Sequence, residues 1–153
     1  MFQDKIEKNI DLKAPIARVW RALTDHIEFG EWFKAALESP FEVDKITQGF
    51  ITHPGYEHMK WVARVRVMDN EKLFSFTWCP LSDDKNEGGL VAVSEMETLV
   101  EFALQATEQG THLSIVESGF ASLPDDERRE HAFVRNSEGW AGQVQNITDH
   151  VES

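Results

Sequence analysis

From Gln3 to Leu12 polar and apolar positions alternate. Ile6, Ile10 and Leu12 fall on one face and Gln3, Lys5, Glu7, Asn9 and Asp11 on the other, the period of a half-buried strand. The period then changes. Behind Pro15, whose fixed φ suits a first helical turn, Ile16, Val19, Trp20 and Leu23 recur at i, i+3, i+4 and i+7, predicting a short helix. Thr24-Asp25 ends or re-caps it. His26 to Phe33 predicts a second short helix, with Ile27, Phe29, Trp32 and Phe33 available for burial.

From Pro40 the period returns to two. Phe41-Glu42-Val43 and Gly49-Phe50-Ile51-Thr52 read as strands joined across Asp44–Gln48. Trp61, Ala63, Val65 and Val67 alternate against Arg64 and Arg66, and Asp69–Lys72 reads as a turn. Phe74, Phe76 and Trp78 alternate against Ser75 and Thr77. Pro80 to Gly89 is polar enough to be a long loop, and Met96, Thr98, Val100, Phe102 and Leu104 predict the next strand. A turn at Glu108-Gln109-Gly110 leads into Thr111, Leu113 and Ile115. Gly119 ends the sheet, and Ser122-Leu123-Pro124-Asp125 has the spacing of a helix-capping box.

A helical stretch follows, with a break placed near Asn136. In its last part Trp140, Val144, Ile147 and Val151 form one narrow apolar stripe, which Phe133 extends backwards. A stripe that narrow needs a large complementary surface, and the strands supply one. The predicted order is one strand, two short helices, about six further antiparallel strands and a long helix. That is an α+β arrangement in a single domain spanning residues 1–153.

Composition narrows the function classes. Fifteen Lys and Arg against 27 Asp and Glu give a net charge of −12, which repels nucleic acid and anionic membranes unless a basic patch exists. The densest basic pairs are only Arg64 with Arg66 and Arg128 with Arg129. One cysteine, Cys79, allows neither an internal disulfide nor a cysteine zinc cluster. No secretion signal or membrane-length apolar run is recognisable, so a cytoplasmic location is expected.

Candidate chemistry centres on aromatic side chains and one acid. Strand parity places Phe50, Trp61, Phe76, Trp78 and Phe102 on the face toward the terminal helix, where Trp32, Phe33, Trp140 and Val144 join them. Such a set lines a cavity for a flat apolar ligand or simply packs a solid core. Glu117 shares parity with Leu113 and Ile115, so an unbroken strand aims it inward, where it can serve as acid, base or ligand anchor. A bulge or strand end near Gly119 turns it to solvent instead, and on sequence alone this second reading weighs more. His112 has outward parity. His53 and His58 flank a loop without metal-ligand spacing, Ser118 lacks a nucleophile-elbow context, and Gly88-Gly89 is no phosphate loop. No catalytic residue, metal site or cofactor site is assigned.

Five short motifs carry a resemblance along nearly the whole chain. They are Ala14–Asp25 with Trp32, Phe74-Ser75-Phe76-Thr77-Trp78, Gly110-Thr111-His112-Leu113, Glu117-Ser118-Gly119-Phe120, and Gly139-Trp140. Together they resemble proteins related to the C-terminal domain of the Hsp90 ATPase activator, within the START/Bet v 1-like (SRPBCC) superfamily. The resemblance implies a helix-grip: a curved antiparallel sheet of six to seven strands around a long C-terminal helix, with a cavity between them. It implies no single activity. Members bind hydrophobic small molecules, a few catalyse reactions on them, and one branch engages Hsp90.

The leading expectation is therefore a module that binds a lipid- or polyketide-like molecule, with no catalysis assumed. The assigned ligand residues are Trp32, Phe50, Trp61, Phe76, Trp78, Phe102, Glu117, Trp140 and Val144. One alternative is an interaction module modulating a chaperone ATPase, its acidic surface steering it to a basic partner patch. Another is a small enzyme using Glu117 or a histidine on a hydrophobic substrate. Oligomeric state stays open.

Overall fold

A computed structural model describes residues 4–78, 97–123 and 127–152. Readings for Cys79, the Pro80–Gly89 loop, Met96 and the Pro124-Asp125 half of the capping box fall outside those residues.

The first strand, β1 (Lys5–Leu12), buries Ile6 and Leu12 as its alternation predicts. Two short helices follow, α1 (Ile16–Thr24) and α2 (His26–Phe33). Pro15 sits one position before α1, as its N-cap. Asp25 closes α1 and opens α2, its carboxylate accepting from the Ile27 and Glu28 backbone N–H groups. Phe29 and Trp32 of α2 are buried, whereas Ile27, expected in the core, is 58% exposed. Lys34, left-handed at φ 72°, stops the helix.

Strand β2 (Ala35–Leu37) follows at once and was not anticipated, being only three residues long. The predicted strand at Phe41–Val43 does not form. Phe41 packs into the core from an irregular segment, and Val43 is exposed. The remaining strands are β3 (Ile46–Ile51), β4 (Lys60–Asp69), β5 (Leu73–Trp78), β6 (Thr98–Ala106) and β7 (Thr111–Ser118). Among the described residues these form one seven-stranded antiparallel sheet in the order β1-β7-β6-β5-β4-β3-β2. Strands β1 and β2 are thus the two edges, and α1 and α2 carry the chain from one to the other.

Two parity readings need correction. Phe50 pairs with Lys60 and is 45% exposed on the outer face, while Thr47 and Gly49 are the buried residues of β3. Gly49 faces inward opposite Trp61, and β2 runs so close beside it that a Cβ there would lie 1.9 Å from the Ala36 carbonyl oxygen. Val67 is also half-exposed. The β4–β5 register slips between Val65 and Val67, and this bulge inverts the alternation beyond it.

A 3-10 turn (Phe120–Ser122) leads toward α3 (Glu127–Glu152), a helix unbroken through Asn136. Its stripe is the predicted one: Trp140, Ile147 and Val151 are buried, with Phe133 and Val144 packed against the same core. Polar ties fix its far end. Glu28 on α2 receives Arg18 and Arg21 at 2.6 Å each and His150 of α3 at 3.0 Å. Burial pushes the Glu28 carboxyl up, but the hydrogen bonds from His150, Arg18 and Arg21 outweigh it and leave the group below its usual value.

Candidate functional site

Three adjacent strands and α3 bring side chains to one buried carboxylate. Glu117 lies on β7, between Ile6 of β1 and Val100 of β6, and is 0% exposed. β7 runs through Ser118 before Gly119, at φ 98°, turns the chain. The strand end therefore comes too late to rotate Glu117 outward, and the solvent-facing reading is corrected.

The carboxylate is closely surrounded. Its Oε2 accepts from Thr98 Oγ1 at 2.6 Å and from Trp78 Nε1 at 2.8 Å. Its Oε1 accepts from Trp140 Nε1 at 2.8 Å, and Asn136 Nδ2 lies 3.0 Å from both oxygens. All four neighbours donate, which suits an ionised carboxylate, an acceptor only. An ion buried without such partners would cost several kcal/mol. Five donor contacts also saturate a group with about four lone-pair sites, leaving none aimed at a substrate. As it stands, Glu117 is a clasp joining β5, β6 and β7 to α3.

Around the clasp stand the rings. Trp61, Phe76, Trp78, Phe102 and Trp140 share the interior face as predicted. Neighbouring centroids are 5.4 Å apart for Trp61–Phe76, 5.3 Å for Phe76–Trp78, 5.9 Å for Trp78–Trp140 and 5.8 Å for Phe102–Trp140. Trp32 is buried at the margin, where its indole donates to the Ala22 carbonyl at 2.8 Å and so ties α2 to α1. Val144 is partly buried against the same core. Phe50 does not belong to the site.

Sequence reasoning missed three participants. Phe29 is fully buried and contacts Trp32, Trp61, Phe76 and Phe102. Thr98 and Asn136 supply the polar side of the clasp. A signal for Asn136 existed: it precedes Trp140 by four residues and so shares its helix face.

Phe33, at the end of α2, has a distinctive place. It stacks on Phe29 at 5.1 Å and meets Trp32, Trp61, Trp78 and Trp140 at 5.8–6.1 Å, yet it is only partly buried. Gln143 of α3 donates to its backbone carbonyl at 3.1 Å. Phe33 therefore sits where the interior rings meet the surface.

The other candidates lie elsewhere. His112 faces outward, held by Asp11 at 2.8 Å and Asn9 at 3.1 Å. His53 and His58 are exposed, and His53 leans on Tyr56. Among the described residues no group of three His, Cys, Asp or Glu could hold a metal ion. A surface depression of about 370 Å³ is lined by Asp11–Lys13 and Thr107–Gln109, at the opposite end of β7 from Glu117. No helix among the described residues is long and apolar enough to cross a membrane.

A curved antiparallel sheet gripping a long C-terminal helix, with two short helices after the first strand, defines the helix-grip class. Residues 13–152 match the family model described as activator of Hsp90 ATPase homolog 1-like protein, and the chain belongs to that family, within the START/Bet v 1-like superfamily. Solved structures agree on the fold. A protein from Mesorhizobium loti superposes with a TM-score of 0.73 at 21% identity over 95% of both chains. One from Arthrobacter aurescens reaches 0.77 at 16% identity, covering 96% of this chain and 85% of that one. The Aha1 dimer from Colwellia psychrerythraea gives 0.71 at 16% identity, covering 98% and 97%. No curated protein matches the sequence.

Proposed function

We propose that this protein binds a flat, apolar small molecule among the rings between sheet and α3, entering at Phe33. The observation that carries the reading is Phe33 itself, a partly exposed ring seated on five others. The rings of the interior already touch one another, so a guest enters by taking the place of a side chain rather than by filling a void. Swinging Phe33 outward vacates a slot walled by Phe29, Trp61, Trp78 and Trp140. The slot has the thickness of one aromatic ring. The Glu117 clasp keeps Trp78 and Trp140 oriented as walls, a binding role rather than a catalytic one.

Intrinsic tryptophan fluorescence reads the event directly. Titrating the protein with lipids, flavonoids and polyketides, the flat members should quench saturably and raise the melting temperature. Trp140→Ala should abolish both effects. A flat response across the panel removes the ligand-binding reading.

The family match and the charge of −12 favour a second reading, modulation of a chaperone ATPase through a basic surface of the partner. Added protein should then change Hsp90 ATP turnover in a salt-sensitive way. Unchanged turnover eliminates this alternative.

A further inference from the structure

Buried indole N–H groups in this core are otherwise satisfied. Trp32 donates to a backbone carbonyl, and Trp78 and Trp140 donate to Glu117. Trp61 is the exception. It is 3% exposed, and its Nε1 is buried with no hydrogen-bond partner among the described residues. Native structures rarely leave a buried donor orphaned, because the lost hydration is not recovered. The ring lies on β4 between Phe29, Phe33, Phe76 and Trp78, with centroids 5.4–6.1 Å away. Two of these neighbours, Phe33 and Trp78, are only partly buried. The ring that carries the unsatisfied donor therefore borders the slot that Phe33 covers.

We infer that the ligand carries a hydrogen-bond acceptor, a carbonyl oxygen on or beside its ring system, and that Trp61 Nε1–H donates to it. This rests on the proposed binding role and specifies its ligand class: aromatic ketones and related carbonyl compounds over plain hydrocarbons of the same shape. Water offers the ketone comparable hydrogen bonds, so the gain comes from satisfying the protein's own orphan donor. Phe29 and Phe76 recognise the ring system by shape alone, and Trp61 reads the oxygen.

The test uses a near-isosteric pair, 2-acetylnaphthalene and 2-ethylnaphthalene, titrated calorimetrically into wild type and Trp61→Phe. Wild type should bind the ketone at least about tenfold more tightly, a difference of about 1.4 kcal/mol. In Trp61→Phe the ratio should fall below about threefold, because the ketone alone loses the indole donor while both compounds share any change in ring packing. Equal binding of both compounds by wild type overturns the inference while leaving the binding role intact. So does a preference that survives in Trp61→Phe. Binding of neither compound overturns the binding role and this inference with it.

A second readout needs no variant. In wild-type ¹H–¹⁵N spectra the Trp61 indole cross-peak, assigned through its contacts to Phe29 and Phe76, should move downfield with the ketone and not with the hydrocarbon. An unmoved peak in the ketone complex means that the ring faces around Trp61 already satisfy its N–H, and the inference falls.

Discussion

Replacing Glu117 with glutamine keeps its shape and removes its charge, and the structure allows the cost to be estimated. One carboxylate oxygen becomes an NH2 group. The Thr98 hydroxyl can rotate to accept from it, and the Asn136 amide can flip to offer its oxygen. The indoles of Trp78 and Trp140 can only donate, and they approach different oxygens of Glu117. At least one indole N–H is then left facing another donor, costing about 1–3 kcal/mol, and the surviving bonds lose their charge assistance. Trp78 is partly exposed and recovers some of this from water. The sum is roughly 2–4 kcal/mol, or about 5–15 °C in melting temperature for a chain of this length. Glu117→Leu strips the acceptor from all four donors at once and should cost more than Glu117→Gln. Buried charges are replaced cheaply only when their partners are replaced too. Urea denaturation followed by tryptophan fluorescence measures both variants. Values within about 0.5 kcal/mol of wild type for both would refute the clasp.

Further outcomes follow from other contacts. Phe33→Ala should lower stability by about 2–3 kcal/mol, less than a fully buried phenylalanine would, and naphthalene should restore part of it in thermal denaturation. Phe50→Thr, on the outer face, should change stability by less than about 1 kcal/mol and leave ligand titrations unchanged. Gly139 and Gly142 lie within α3 with open space where a Cβ would stand. Alanine at either position should therefore stabilise by about 0.5–1 kcal/mol in chemical denaturation. Glu28 titrates below its ordinary 4.5 in the folded state, so its contribution is present above that pH and lost as pH falls through the lowered value. The stability gap between wild type and Glu28→Gln, read by denaturation at stepped pH, should narrow on acidification below about 4.5.

What the sequence made legible was whatever a local period encodes. Helix α2 occupies the predicted His26–Phe33, and the stripe from Trp140 to Val151 faces the core. Parity failed where geometry depends on a neighbouring strand. The bulge after Val65 is invisible without the β5 register, and the inward face of Gly49 follows from its pairing with Trp61 on β4. Phe50 drew the inward assignment because it is apolar, while the residue that faces in has no side chain. Glu117 shows the same limit in a functional group. Its inward parity was readable, but whether a carboxylate could stay there turned on donors from Trp78, Thr98, Asn136 and Trp140, up to 39 residues away in sequence.

A guest that takes the seat of one phenylalanine can be watched at that seat. With 4-fluorophenylalanine incorporated at position 33 alone, the ¹⁹F resonance of the free protein should report a ring held against Phe29. A saturating flat aromatic ketone should move it to the narrow, solvent-like position of a mobile side chain. Binding that leaves the resonance where it was contradicts the account, because the ligand would then sit somewhere other than among these rings.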